Sequence, residues 1–190
     1  MPEVLVNRLG VFIGLTKKIE IMIIILINGT GTVGKDEFIK QLEIISSFKV
    51  HNISSIDQVK NIAKTFFGWD GQKDEKSRKF LADLKRLWVD YNNGPFQYIV
   101  NKIEDIEHKS KDETIVFIHC REIDEIKKFK DYYKGYDFVT LLVKRDVPVP
   151  ENDADQQVFD YQYDYTVENT DGIPLLKKNA KAFYKYIQTL

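Results

Sequence analysis

The stretch MIIILINGTGTVGKD, residues 22–36, decides the fold of this chain. Its first seven residues, Met22–Asn28, are rich in isoleucine and apolar on both faces, which is typical of a central strand in a parallel sheet. Three glycines then fall within six positions, and apolar residues at helical spacing follow from Phe38 onward. The sequence therefore predicts a buried strand, a glycine-rich turn and a helix, in that order.

Strand and helix patterns alternate along the rest of the chain. We predict further strands at 48–53, 114–119, 136–143 and 163–167, and helices at 38–45, 54–66, 74–91, 95–109, 122–133 and 173–187. This alternation predicts an α/β domain of three layers, with about five parallel strands and helices on both faces. We assign it to residues 22–190, with a helical insertion at 68–109 and an acidic, proline-containing loop at 146–162. Residues 1–21 form an N-terminal extension whose role stays open.

Composition excludes several classes of protein. The net charge of −1 over 190 residues gives no overall attraction to nucleic acid or to an anionic membrane. The apolar run Ile21–Ile27 has seven residues, far below the roughly 20 that a membrane helix needs. No basic region with a small-residue cleavage site begins the chain, so we expect no signal peptide. The single cysteine, Cys120, excludes an internal disulfide framework and favours a reducing compartment, so we expect a cytoplasmic protein.

The glycine-rich turn has the chemistry of a phosphate-binding loop. Residues Gly29–Asp36 match the pattern G-x-x-x-x-G-K. Glycines let the backbone wrap around a phosphate, and the next helix adds its positive N-terminal end. Lys35 would reach the β- and γ-phosphates of a nucleotide, whereas the alternative is a plain turn with a surface lysine. We expect the loop to bind ATP through Gly29, Gly31, Thr32, Val33, Gly34, Lys35 and Asp36.

Asp36 departs from the usual pattern, because Ser or Thr normally stands at this position and its hydroxyl ligates Mg²⁺. A carboxylate is also a hard oxygen ligand, which makes Asp36 a candidate Mg²⁺ ligand. The helix dipole alone also favours an acidic residue in the first turn. Both interpretations stay open.

The G-K-D ending of the loop resembles P-loop kinases of the nucleoside monophosphate kinase group. Phage-type deoxynucleoside monophosphate kinases and animal-type phosphomevalonate kinases share this ending. The resemblance covers most of residues 22–190 as an order of elements, and it implies the P-loop NTPase fold. It also implies ATP-dependent, Mg²⁺-assisted phosphoryl transfer to a small phosphorylated acceptor, preferably a nucleoside or deoxynucleoside monophosphate.

Two further motifs carry the resemblance on the acceptor side. Ser54 and Lys60 lie where the family's acceptor-binding helix begins, although an N-cap and a solvated lysine would also explain them. After the third predicted strand, Arg121 would hold an acceptor phosphate by two hydrogen bonds. His119 stands there where the family has an acidic residue, and we favour a core histidine over a base. Cys120 is expected to pack in the core.

The remaining candidates lie in the insertion and around the lid-like loop. Arg145 is at the base of loop 146–162, which is acidic and contains no Lys or Arg. Arg78 would reach the acceptor phosphate from the insertion, and Asn169 would lie near the base or the phosphate loop, or in a turn. We expect the catalytic residues to be Lys35, Arg121 and Arg145, and the acceptor-binding residues to be Ser54, Lys60, Arg78 and Arg121. The acidic loop and His119 motivate an alternative, a nucleotide-binding module with little or no kinase activity. The oligomeric state stays open.

Overall fold

A computed structural model describes residues 21–72, 74–146 and 157–190 of the chain. The predicted extension 1–21 therefore lies, apart from Ile21, outside the described residues, as does most of loop 146–162. The strands are β1 (Met22–Asn28), β2 (Lys49–Ser54), β3 (Thr114–His119), β4 (Asp137–Lys144) and β5 (Tyr165–Glu168). The helices are α1 (Lys35–Ile45), α2 (Ser55–Phe67), α3 (Glu75–Asn92), α4 (Gly94–Lys109), α5 (Ile123–Tyr132) and α6 (Ile173–Ile187), with a short 3-10 helix at Gln157–Asp160.

The five strands form one parallel sheet in the order β2-β3-β1-β4-β5. Strand β1 lies at the centre, between β3 and β4, as its uninterrupted apolar sequence predicted. Because the strands are parallel, the carboxyl ends of β1, β3 and β4 meet at one edge, where Ile27 pairs with His119 and Asn28 pairs with Leu142. Ligands of open parallel sheets bind beyond this edge.

Successive side chains of β1 enter two separate cores. Ile23, Ile25 and Ile27 pack on the face that α1 and α6 cover, and Ile24 and Leu26 pack on the face that α4 and α5 cover. All five are buried. Burying each of these side chains contributes about 1.5–3 kcal/mol, so β1 is a firm base for the loop that follows it.

A third, smaller core joins α2 to α3 in the helical segment between β2 and β3. Val59 and Ala63 of α2 pack with Leu81 of α3. Asp74 caps α3 by accepting a hydrogen bond from the backbone N–H of Ser77 at 2.7 Å.

Among the described residues, no helix is both long enough and apolar enough to cross a membrane.

Candidate functional site

The glycine-rich loop leaves the carboxyl end of β1 and is packed closely against two neighbours. Gly29 has φ 142°, and a Cβ added there would overlap the carbonyl oxygen of Val143 in β4. Gly34 has φ 100°, and its added Cβ would lie 2.7 Å from Nδ2 of Asn169. Both positions need a left-handed backbone and lack room for a side chain, so glycine is required at each for the loop itself.

The N-terminus of α1 directly follows the loop. The N-cap residue is Gly34, which has no side chain that could accept a hydrogen bond from the backbone amides of the first turn. The first-turn amides of a helix have no partner within it, and its N-terminus carries partial positive charge. The start of α1 therefore has the donors and the potential that bind an anion.

Lys35, the first residue of α1, folds back over the loop. Its Nζ donates hydrogen bonds to the carbonyl oxygens of Gly29 and of Thr30, the latter at 2.8 Å. Both acceptors are uncharged backbone groups. The ammonium group is thus held at the loop by contacts that a phosphate oxygen can replace with a charge-assisted hydrogen bond.

Two buried asparagines hold the loop from either end. Asn28 accepts a hydrogen bond from the backbone N–H of Gly29 at 2.7 Å. Asn169, which is 3% exposed, donates from Nδ2 to the carbonyl oxygen of Val33 at 2.8 Å. The expectation that Asn169 lies near the phosphate loop is confirmed. Asn28 was missed, although a buried polar residue that ends an apolar strand is a usable signal.

Asp36 and His119 meet where α1 passes the end of β3. The Nε2 atom of His119 lies 3.5 Å from Oδ1 of Asp36, and Asn52 of β2 donates to the same oxygen at 3.3 Å. The side chain of Asp36 is 86% exposed, whereas that of His119 is 17% exposed. His119 is therefore mostly buried, as the core interpretation required, but it also contacts the acidic residue of the loop.

Charges of both signs surround His119. Burial lowers the pKa of His119, and the positive charges of Lys35 and Arg121 add to this effect. The carboxylates of Asp36 and Asp57 oppose it by raising the pKa. Burial thus favours the neutral form of His119, and these five side chains share one electrostatic neighbourhood.

The segment after β3 is fixed by an ion pair. Lys85 of α3 lies 2.7 Å from Oε1 of Glu122, and Oε2 of Glu122 accepts a hydrogen bond from the backbone N–H of Arg121 at 3.3 Å. Cys120 is buried beside them, and burial raises the pKa of its thiol, so the packing interpretation is confirmed. Helix α3 thereby positions the backbone of Arg121.

The acceptor-side candidates lie at the ends of β2 and α2. Ser54 ends β2, is the N-cap residue of α2 and pairs in register with His119. Its side chain makes no capping hydrogen bond among the described residues. Lys60, one turn into α2, lies 3.2 Å from Oδ1 of Asp57. Ser54 is therefore near the loop, and Lys60 is paired with a carboxylate.

Arg145 and Arg78 are less closely associated with this cluster. Arg145 follows β4 at the same edge of the sheet and is exposed. Arg78 lies in the first turn of α3 and is also exposed. Within the described part of the chain, neither guanidinium has a recorded contact with the loop. The structure thus groups Arg121, but not these two, with Lys35.

Comparison with known proteins gives a likeness of fold. No protein-family model matches the sequence, and no curated protein matches it. Dephospho-CoA kinase from Campylobacter jejuni superposes with a TM-score of 0.50 and 13% identity, covering 87% of this chain and 97% of that one. The protein APE1195 superposes with a TM-score of 0.51 and 11% identity, covering 90% and 98%. The chain has the P-loop NTPase fold. At such low identity the likeness extends to fold alone.

Proposed function

We propose that this protein transfers a phosphoryl group from ATP to a small phosphorylated acceptor. One observation carries the proposal: the N-terminus of α1, whose N-cap residue is Gly34, and Lys35 meet in a glycine loop at the carboxyl end of the central strand. Such a loop positions phosphates and neutralises their charge. Catalysis of phosphoryl transfer requires mainly that the protein position the phosphates and neutralise their charge.

The donor phosphates would be held by the residues of Gly29–Asp36. The amides at the start of α1 would donate to phosphate oxygens. Lys35 would exchange the carbonyls of Gly29 and Thr30 for the β- and γ-phosphates, since an anionic acceptor forms the stronger hydrogen bond with an ammonium group. Charge that develops in the transition state would then be stabilised by groups that are already in place.

Asp36 is a suitable ligand for Mg²⁺, whereas His119 is not, because Mg²⁺ binds oxygen ligands. The carboxylate of Asp36 is a hard oxygen donor, and its exposed side chain leaves room for the water ligands that Mg²⁺ retains. No group of three or more His, Cys, Asp or Glu side chains in the described ranges is arranged to hold an ion, so the phosphates would supply further ligands. Mg²⁺ would neutralise charge on the β- and γ-phosphates.

The acceptor would bind between β3 and α2. Arg121 lies near His119 and Lys35, and its planar guanidinium suits bidentate contact with a phosphate. Ser54 and Lys60 would complete the acceptor side, and Arg78 and Arg145 would approach when both substrates are bound. A nucleoside or deoxynucleoside monophosphate is the preferred acceptor. Its phosphate oxygen is already ionised near neutral pH, so no strong base is needed.

A nucleotide-binding module without transfer is the second candidate. The observation that favours it is the contact between His119 and Asp36, because the imidazole occupies one side of the only carboxylate that the phosphate loop contains. In that case the loop would bind nucleotide, and no acceptor would stimulate turnover.

The two candidates are separated by ATP consumption measured with a panel of nucleoside and deoxynucleoside monophosphates. We expect at least one acceptor to stimulate turnover, and Lys35→Ala to lower it by about 10²–10³-fold. Lys40→Ala, an exposed lysine on the same helix, is the matched control and should retain activity. Binding of ATP without stimulated turnover would favour the module. Absence of ATP binding by the wild-type protein, measured by calorimetry, would refute both candidates.

A further inference from the structure

The side chain of Asn28, at the end of β1, is fixed by three hydrogen bonds. Its Oδ1 accepts from the backbone N–H of Gly29 at 2.7 Å. Its Nδ2 donates to the hydroxyl of Tyr163 at 2.6 Å and to the carbonyl oxygen of Arg121 at 3.3 Å. Reversing the amide would set Nδ2 against the N–H of Gly29 and Oδ1 against a carbonyl oxygen, so these partners define its orientation.

Tyr163 continues this row of hydrogen bonds away from the loop. Its hydroxyl donates to the carbonyl oxygen of Val158 at 2.8 Å, and Val158 is fully buried. Burial raises the pKa of Tyr163, so the hydroxyl keeps the proton that it donates. The ring packs against Tyr161 with centroids 5.0 Å apart. A continuous row therefore runs from Val158 through Tyr163 and Asn28 to the first peptide of the phosphate loop.

We propose that Tyr163 is a positioning residue of the phosphate loop. Acting through Asn28, it fixes the backbone N–H of Gly29, and the carbonyl oxygen of the same residue, in the next peptide group, accepts a hydrogen bond from Lys35. Gly29 has a left-handed backbone, and glycine adopts several other backbone conformations as readily. Without this support, the loop would therefore not stay in one conformation. A loop held in one conformation loses less entropy when a ligand binds. The inference rests on the proposed function, because the ligand of this loop is taken to be a nucleotide.

Tyr163→Phe tests the inference, because it removes the hydroxyl and keeps the ring packing. We expect the affinity for a non-hydrolysable ATP analogue with Mg²⁺, measured by calorimetry, to fall about three- to tenfold, the usual value of one hydrogen bond. In turnover assays the KM for ATP should rise while kcat stays close to that of the wild type. Tyr161→Phe is the matched control, since the hydroxyl of Tyr161 makes no hydrogen bond within the part of the chain that the structure describes, and it should change neither quantity.

A double-mutant cycle tests whether Tyr163 acts through Asn28. In an Asn28→Ala background, Tyr163→Phe should cause no further loss of affinity, because the intermediate group is gone. The single Tyr163→Phe variant also gives a result that does not depend on whether Asn28→Ala folds. Wild-type affinity in Tyr163→Phe, or additive losses in the cycle, would overturn the inference. A wild-type protein that does not bind the ATP analogue would instead overturn the proposed function.

Discussion

Replacing Gly29 by alanine tests how firmly the phosphate loop is held against β4. The added Cβ would overlap the carbonyl oxygen of Val143, well inside the 3.0 Å below which Cβ contacts essentially do not occur. The overlapping atom belongs to the backbone of a buried strand, so it cannot swing away as the end of a side chain would. Gly29 also has φ 142°, a backbone conformation that alanine rarely adopts.

The two costs set the expected loss of stability. Left-handed strain at a non-glycine residue costs about 1–2 kcal/mol, and overpacking a core costs about 1–3 kcal/mol. Together they predict a fall of roughly 3 kcal/mol in the free energy of unfolding. For a chain of this size that corresponds to a fall of about 6–12 °C in the Tm, which circular dichroism measures directly.

Gly31→Ala is the matched control, because it makes the same chemical change two residues further along the loop. Apart from its two chain neighbours, no atom of the described residues lies within 4 Å of the Cβ added at Gly31, and Gly31 does not have a positive φ. We expect its Tm to stay within about 2 °C of the wild type. Equal shifts in the two variants, or an unchanged Tm in Gly29→Ala, would refute the view that β4 fixes the loop.

Two further predictions concern the hydrogen bond of Asn169 and the ion pair of Glu122. Asn169→Ala removes the hydrogen bond to Val33 and should lower the free energy of unfolding in urea by about 1–2 kcal/mol, whereas Asn179→Ala, which loses an exposed bond, should have little effect. Burial raises the pKa of Glu122, but the charge and hydrogen bond of Lys85 outweigh it, so the pKa is lowered. The resulting stability is present above pH 4.5 and lost below it, so urea unfolding of Glu122→Gln should depend less on pH between 5 and 3. An equally steep loss in that variant would contradict this assignment.

Strong local patterns made most of the fold predictable from the sequence. The strand at 114–119 and the helix at 173–187 have the predicted bounds, because each has a clear apolar pattern and a clear stop. The last strand begins two residues later than predicted, at Tyr165. The reason is Asp164, whose carboxylate accepts from the backbone N–H of Thr140 at 2.8 Å and from its hydroxyl at 2.7 Å. A side chain thus takes the place of main-chain pairing there.

The candidate site was predictable only where its residues are contiguous. The loop, Lys35 and the start of α1 could be located because one short motif contains them. The contact between Asn28 and Tyr163 joins residues 135 positions apart, and the pair of Lys85 and Glu122 joins residues 37 positions apart. Such contacts result from the order of the strands and the packing of the helices, and a local sequence pattern does not indicate them.

Positively and negatively charged side chains balance one another around the phosphate loop. Around His119, the positive charges of Lys35 and Arg121 are matched by the carboxylates of Asp36 and Asp57, and Lys60 is also paired with Asp57. Because the net charge of the chain is −1, no surplus of positive charge elsewhere attracts a polyphosphate. A nucleotide bound there, as proposed, would need compensation for its own negative charge, and Mg²⁺ bound to its phosphates would supply it. Under the proposed function, the aspartate that stands at the position of the usual hydroxyl would favour a Mg²⁺-loaded nucleotide over free ATP, because free ATP would add its charge to that of Asp36.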